Sequence, residues 1–171
     1  AQNRQKDWQP IMPALNRILN NTPGVTMNVV HDREFFDAIE SDRKQFFPFC
    51  PYAEYRGILS MCDIALLPLE DTPFNRCKSD LKFLECAAEC VVCVAGPIGS
   101  SCPGSYRYLN PIDFEDELRW LLKNMKNQTY AVAAYEHVRD NRLLSQHYRK
   151  RYEWYQHLIA TKQALHADLL E

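Results

Sequence analysis

Two short, wholly apolar runs constrain this chain more than any other feature. One is Ile64-Ala65-Leu66-Leu67, inside the stretch Asp63 to Leu69; the other is Val91-Val92-Cys93-Val94-Ala95. Neither alternates polar with apolar residues, so each is expected to be a strand covered on both faces, as in a parallel sheet. Between them lies a helical stretch, expected from Ser79 as its cap to about Glu89. Strand, helix and second buried strand make a βαβ unit, the building block of α/β domains.

The flanking sequence extends the pattern. Trp8, Ile11, Met12, Leu15, Ile18 and Leu19 recur at helical spacing and predict an amphipathic helix over about 7–20, ended by Asn20 to Gly24. Val25 to Val30 reads as a strand, Arg33 to Ile39 as a helix, and Gln45 to Phe49 as a weak strand limited by Pro48. Tyr52 to Met61 reads as a helix, Glu70 to Lys78 as a polar loop containing Pro73, and Gly96 to Gly104 as a loop. From Asp113 onward the spacing predicts helices over about 113–125, 128–141 and 143–168. The expected architecture is one α/β domain over 1–171, an open parallel sheet flanked by helices, with an α/β core over about 1–112 and a helical tail over about 113–171. A chain of 171 residues buries roughly 70% of the surface that its unfolded form exposes, so no disulfide or metal staple is required.

Charge and composition exclude several roles. The net charge of -2 argues against a general nucleic-acid binder, which is usually basic. The charge is uneven: residues 1–118 carry 11 Lys/Arg and 17 Asp/Glu, and residues 119–171 carry 9 and 5. No apolar run reaches the 18 or so residues of a membrane span. Ala1 to Asp7 is polar and unlike a signal peptide, and it reads as a cut inside a longer polypeptide. Seven cysteines, an odd number, fit free thiols in a reducing cytoplasm better than a disulfide framework.

Ligands of open parallel sheets bind beyond the carboxyl ends of the strands. Three expected loops lie there: His31-Asp32, Cys50-Pro51-Tyr52, and Glu70 to Ser79. The third gathers Asn75, Arg76, Lys78 and Ser79 just before a helix, whose N-terminus attracts anions. Such a loop suits a diphosphate without a glycine-rich cradle; its plainer reading is a solvated basic loop. Leu81, Leu84 and Ala88 are the expected buried stripe of the following helix, with Glu85 on or beside it. A carboxylate there requires a partner, either vicinal ribose hydroxyls or an ion pair with Lys78 or Lys82.

Other clusters are weaker. Cys86, Cys90 and Cys93 have C-x3-C-x2-C spacing, but their places in a helix and a buried strand are expected to point them apart rather than around a cluster. Cys77 with His31 is a nucleophile–base pair that no spacing fixes. His137, His147, His157 and His166 stand about ten residues apart, a poor spacing for metal ligands. The run from His147 to Trp154 mixes basic and aromatic residues and is expected to be a solvated face with a packed aromatic stripe.

The stretch Cys62-Asp63-Ile64-Ala65-Leu66-Leu67-Pro68-Leu69, then Asn75-Arg76-Cys77-Lys78-Ser79-Asp80-Leu81-Lys82-Phe83-Leu84-Glu85, then Ala87-Ala88 and Val91 to Ala95, resembles the donor-binding, C-terminal half of GT-B glycosyltransferases of the group 1 type. The resemblance implies a Rossmann-like half of a GT-B fold that binds a nucleotide-diphosphate sugar and transfers the glycosyl group without a metal or other cofactor. It implies that Glu85 holds the donor ribose and that Lys78 and Ser79 face the diphosphate. Asn3 and Arg4 resemble the segment after the domain's first strand, which implies a phosphate-facing Arg4, with Lys6 a second basic candidate. Lys78 and Arg4 would be the catalytic cations, and the loop with Pro51 and Tyr52 would receive the base. The terminal helices resemble a tail that packs toward an acceptor-binding N-terminal domain, absent from this chain, and the family implies polysaccharide or protein glycosylation. Three positions depart from the family pattern. Cys77 stands where many relatives have a second Glu, Glu89-Cys90 stands where they turn on a Gly, and Ser101 to Asn110 holds only Gly104. The other reading is a GT-B-like interaction domain that has lost donor binding.

Overall fold

The computed structural model describes residues 4–99, 102–124 and 129–168, with side chains up to Lys162. The N-terminal amphipathic segment forms in three pieces: α1 (Gln5–Trp8), a 3-10 turn (Gln9–Ile11) and α2 (Met12–Asn21). Pro10 and Pro13 have no N–H to give to the preceding turn, so a continuous helix is broken there. The expected apolar face is kept, since Trp8, Ile11, Met12, Leu15, Ile18 and Leu19 are all buried. Gly24 turns the chain with a left-handed φ of 82°.

Then follow β1 (Met27–Val30), α3 (Arg33–Ala38), β2 (Lys44–Phe47), α4 (Tyr52–Ser60) and β3 (Ile64–Leu67). Asp32 caps α3 by accepting from the Phe35 amide at 3.0 Å. The stretch read as a loop before Lys78 contains a helical turn, α5 (Pro73–Arg76), capped by Thr72, which accepts from the Asn75 amide at 3.1 Å. Pro73 at its first position marks a helix start. Next come α6 (Leu81–Ala88), β4 (Val92–Ala95), β5 (Ser105–Arg107), α7 (Pro111–Asn124), α8 (Thr129–Asn141) and α9 (Leu144–Asp168).

The strands form two parallel sheets. One pairs β1 with β2, and the other has the order β3-β4-β5. Both present one face to a common core. Met27 and Val29 of β1, Ile64 and Leu66 of β3, and Val92 and Val94 of β4 pack with residues of α1, α2, α3 and α7, including Phe114 and Leu118. On the opposite face Ala65, Leu67 and Cys93 meet Leu59 of α4, Phe83, Cys86 and Ala87 of α6, and Ala134 and Val138 of α8. The chain is therefore α/β, with small parallel sheets flanked by helices.

Four expectations need correction. Ile64–Leu67 has side chains packed on both faces, but all four residues are only partly buried, not fully enclosed as expected. Its edge turned away from β4 borders a cavity. Ser79 does not cap α6: Asp80 holds the cap position and no side chain accepts from the first turn. The buried stripe of α6 is Phe83, Cys86 and Ala87, a proper i, i+3, i+4 set, while Leu81 is 53% exposed and Ala88 is exposed. Finally, the aromatics of α9 are not packed. Tyr148, Tyr152, Trp154 and Tyr155 are each more than half exposed.

Candidate functional site at the carboxyl ends of β1 and β3

A cavity of about 940 Å³ opens where β1 and β3 end. Its mouth is lined by Arg4, His31, Tyr52, Asn75, Arg76, Lys78, Ser79 and Lys82; its inner walls are Val29, Leu66 and Leu67 of the two strands with Trp8 and Phe35. Parallel strands leave their loops at one end, and residues more than 60 positions apart in sequence converge there.

Asp7 ties the mouth together. Its Oδ1 accepts from the Glu70 amide at 3.0 Å and from Asn75 Nδ2 at 2.9 Å, and its Oδ2 lies 3.7 Å from Arg4 Nε. Asn75 also donates to the Glu70 carbonyl at 2.9 Å, so this buried amide fixes the loop after β3 to α1. Arg76 forms a two-pronged pair with Asp71, at 2.5 and 2.8 Å, which raises the guanidinium pKa and lowers that of the carboxyl. Lys78 is different. It is exposed, and its ammonium lies 5.1 Å from the centre of the Phe74 ring. Among the described residues no carboxylate pairs with it. Ser79, beside it, is exposed.

The uncapped first turn of α6 faces this mouth through Lys82 and Phe83. Unsatisfied amides there carry partial positive charge. Asp80 is also at the rim, but Arg142, just after α8, holds it from two nitrogens at 2.7 and 2.8 Å, which lowers the Asp80 pKa and neutralises its charge. Across the mouth, His31 takes a left-handed φ of 69° and packs edge-on to Phe49, with ring centres 5.4 Å apart. A histidine in that region is uncommon and marks a locally constrained backbone.

Of the residues chosen from sequence, Arg4, Tyr52, Asn75, Arg76, Lys78 and Ser79 come together here. Asn3 lies outside the described residues. Lys6 is exposed on α1 and Pro51 opens α4; neither lines the cavity. Glu85 does not line it either. Its carboxylate accepts from Lys82 Nζ at 2.8 Å and from the Tyr55 hydroxyl at 3.4 Å. Of the two lysines weighed as its partners, Lys82 is the one that pairs. Burial opposes the Lys82 charge, but the hydrogen bond to Glu85 and the nearby Tyr55 outweigh it and raise the ammonium pKa. Burial raises the pKa of the Tyr55 phenol.

Sequence reasoning missed Asp7, Lys82 and Phe49 as parts of the mouth. Asp7 and Lys82 were findable, each lying about one helical turn beyond a residue already chosen, Arg4 and Lys78 or Ser79. Phe49 carried no such signal.

Of the cysteines, Cys86 and Cys93 are buried in the core. Cys86 and Cys93 do meet, and the Cys86 hydrogen bond together with burial drives the Cys93 pKa far up, so the thiol stays protonated. Cys90 is exposed at the end of α6. Among the described residues no three His, Cys, Asp or Glu side chains gather to hold a metal ion, and no helix is long and apolar enough to cross a membrane. No protein-family model matches this chain, and no curated protein matches it.

Proposed function

We propose that this domain binds the diphosphate of a nucleotide sugar at the mouth between β1 and β3 and serves as the donor-binding half of a GT-B-type glycosyltransferase. The observation that carries the reading is Lys78: a cation with no carboxylate partner among the described residues, beside an uncapped helix N-terminus, with Arg4 on the same cavity wall. An anion with two or more charges answers all three features.

In glycosyl transfer an acceptor hydroxyl forms a bond to the anomeric carbon while the bond from that carbon to the phosphate oxygen breaks. The electron pair leaves with the diphosphate, and the hydroxyl proton goes to a base in an acceptor-binding domain. Negative charge grows on the diphosphate, where Lys78, Arg4 and the first-turn amides of α6 would stabilise it. Tyr52, exposed at the rim, offers a ring on which a base can stack. Glu85 would reach ribose hydroxyls only by exchanging its bond to Lys82.

The second reading is a GT-B-like interaction domain without donor binding. It is favoured by the engagement of Arg76 with Asp71 and of Glu85 with Lys82, which leaves neither group free for a ligand. Titration with UDP-, GDP- and dTDP-sugars separates the two. At least one should raise the melting temperature, and Lys78→Ala should weaken its affinity at least about tenfold, while Lys6→Ala leaves it unchanged. A chain that no nucleotide sugar stabilises, or an affinity indifferent to Lys78→Ala, sinks the donor-site reading.

A further inference from the structure

The cavity extends below its polar mouth as a slot between the open edges of β1 and β3. The geometry points to a missing strand: the slot receives one more β-strand, parallel to both neighbours and supplied by the polypeptide that leads into Ala1. The two sheets then become one, in the order β2-β1-new strand-β3-β4-β5.

The two sheets already belong to one layer. Met27 and Val29 of β1 and Ile64 and Leu66 of β3 pack into the same core cluster, from the same side. Each sheet is internally parallel. At the amino-terminal end of the slot, Asn28 Nδ2 donates to Cys62 Sγ at 3.6 Å. Strands that flank a third stand about 9.5 Å apart, and side chains bridge such a gap where backbone bonds do not.

Both slot edges carry inward-facing peptide groups. The Met27 and His31 amides donate to Arg43 and Phe47 on the β2 side, so Asn28 and Val30 turn theirs toward the slot. Asp63 and Leu67 carbonyls accept from Val92 and Gly96 on the β4 side, so Ile64 and Leu66 face the slot. Two such rows in an apolar groove are costly unless bonded, and one strand bonds both. This also explains why β3, third from one end of the completed sheet but an edge strand without it, is only partly buried.

The occupant follows from α1. Trp8 packs edge-on against Phe35 beyond β1, with centroids 5.4 Å apart, while Asp7 holds the Glu70 amide beyond β3. The start of α1 therefore straddles the slot at the carboxyl end of its neighbours, where a parallel strand would finish. Residues 4–26 then form the helical crossover to β1 that a parallel pair requires. The slot is walled by Val29, Leu66 and Trp8, so the strand is a continuous apolar run of about five residues, rich in Val and Ile.

The test appends Val-Ile-Val-Val-Ile ahead of Ala1 in the full 171-residue chain. Amide hydrogen exchange at Asn28, Val30, Ile64 and Leu66 should slow at least about tenfold, and the melting temperature should rise by at least about 5 °C, with the oligomeric state unchanged. The same run with a central Pro should do neither, nor should the run placed after Glu171. Unchanged exchange at those four amides, an equal effect from either control, or protection that appears only with dimerisation overturns the proposal. If the extended chain aggregates, the same run is added as a separate peptide. Saturable protection of the four amides supports the slot, and its absence rejects it.

Discussion

β3 and β4 are neighbours with nearly identical sequence character, yet the structure treats them differently. Val92–Ala95 is buried at every position, with Val94 at 0% exposure, while Ile64–Leu67 is only partly buried throughout. Composition does not separate them, since both are short apolar runs. Position does. β4 has a bonded strand on each side, whereas β3 has β4 on one side and the cavity on the other. The lesson concerns the functional reading as much as the fold. A large cavity beside an apolar strand need not be one site throughout, and it is its mouth, with Arg4, Lys78 and Ser79, that gathers cationic and polar side chains.

The sharpest way to break this contrast is a buried charge. Val94→Asp places a carboxylate where nothing can solvate it and should destabilise by at least about 4 kcal/mol, enough to prevent folding. Leu66→Asp, with the cavity beside it, should cost only about half as much. Urea denaturation of both variants measures the difference, and equal losses would show that β3 is as enclosed as β4.

Gly96 tests the place where the two strands come closest beyond their ends. A Cβ on Gly96 would stand 2.5 Å from the Leu69 carbonyl oxygen and 2.7 Å from the Leu69 nitrogen. Both are backbone atoms and cannot swing aside, so Gly96→Ala should cost about 1–3 kcal/mol. The same substitution at Gly57, where a Cβ meets nothing within 4 Å, should stabilise α4 slightly.

Most of the order of elements is legible in the sequence because helix and strand periods differ and because Gly24 acts locally, but the short α5 at Pro73 and the three-residue β5 are too brief to show a period. Phase was harder. Leu81-Leu84-Ala88 and Phe83-Cys86-Ala87 are both helical stripes, and only contact with β4 and α8 selects the second. The candidate site was legible where a strand-end loop carries charge, as at Lys78, while Arg4 came only from the family resemblance. It was not legible where a side chain finds its partner through space. Arg76 bonding Asp71, Arg142 holding Asp80 and Tyr55 reaching Glu85 depend on distances that spacing does not give, whereas the Lys82 pair of Glu85 is one of the alternatives helical spacing offers. The partial exposure of β3 was hidden for the same reason, since burial depends on the neighbour and not on the strand.

The helix between the two strands offers a smaller perturbation. Arg142 holds Asp80 at the start of α6, with the two side chains about a third exposed, and this hydrogen-bonded pair lowers the Asp80 pKa. A carboxyl with a depressed folded pKa adds stability above its unfolded value, near 3.9, and loses it as pH falls through the folded value. Arg142→Ala should therefore cost about 1 kcal/mol at neutral pH, after screening of a partly exposed pair. The deficit should shrink below about pH 4, where the wild-type chain loses the same contribution. A deficit that stays constant down to pH 2 would assign it to packing instead.

The smallest effect lies in how the chain enters each strand. Before β3, α4 ends at Met61 with right-handed backbone, and Cys62 donates to Leu59 at 2.9 Å. Before β4, α6 ends differently: the Val91 amide donates to Cys86 at 2.9 Å and the Cys90 amide to Ala87 at 3.1 Å, with Cys90 at φ 57°. That pair of bonds is the Schellman closure, whose left-handed position favours glycine. A cysteine there carries strain of about 1–2 kcal/mol; glycine removes the strain but costs about 0.5–1 kcal/mol in the unfolded chain. Because the Cys90 side chain is exposed, little packing is lost. Cys90→Gly should thus stabilise by about 0.5 kcal/mol, and Cys90→Val, branched at Cβ, should destabilise by about 1 kcal/mol. Met61→Gly at the other junction, where no left-handed turn is made, should only destabilise. If Cys90→Gly behaves like Met61→Gly, the left-handed turn does not distinguish the approach to β4 from the approach to β3.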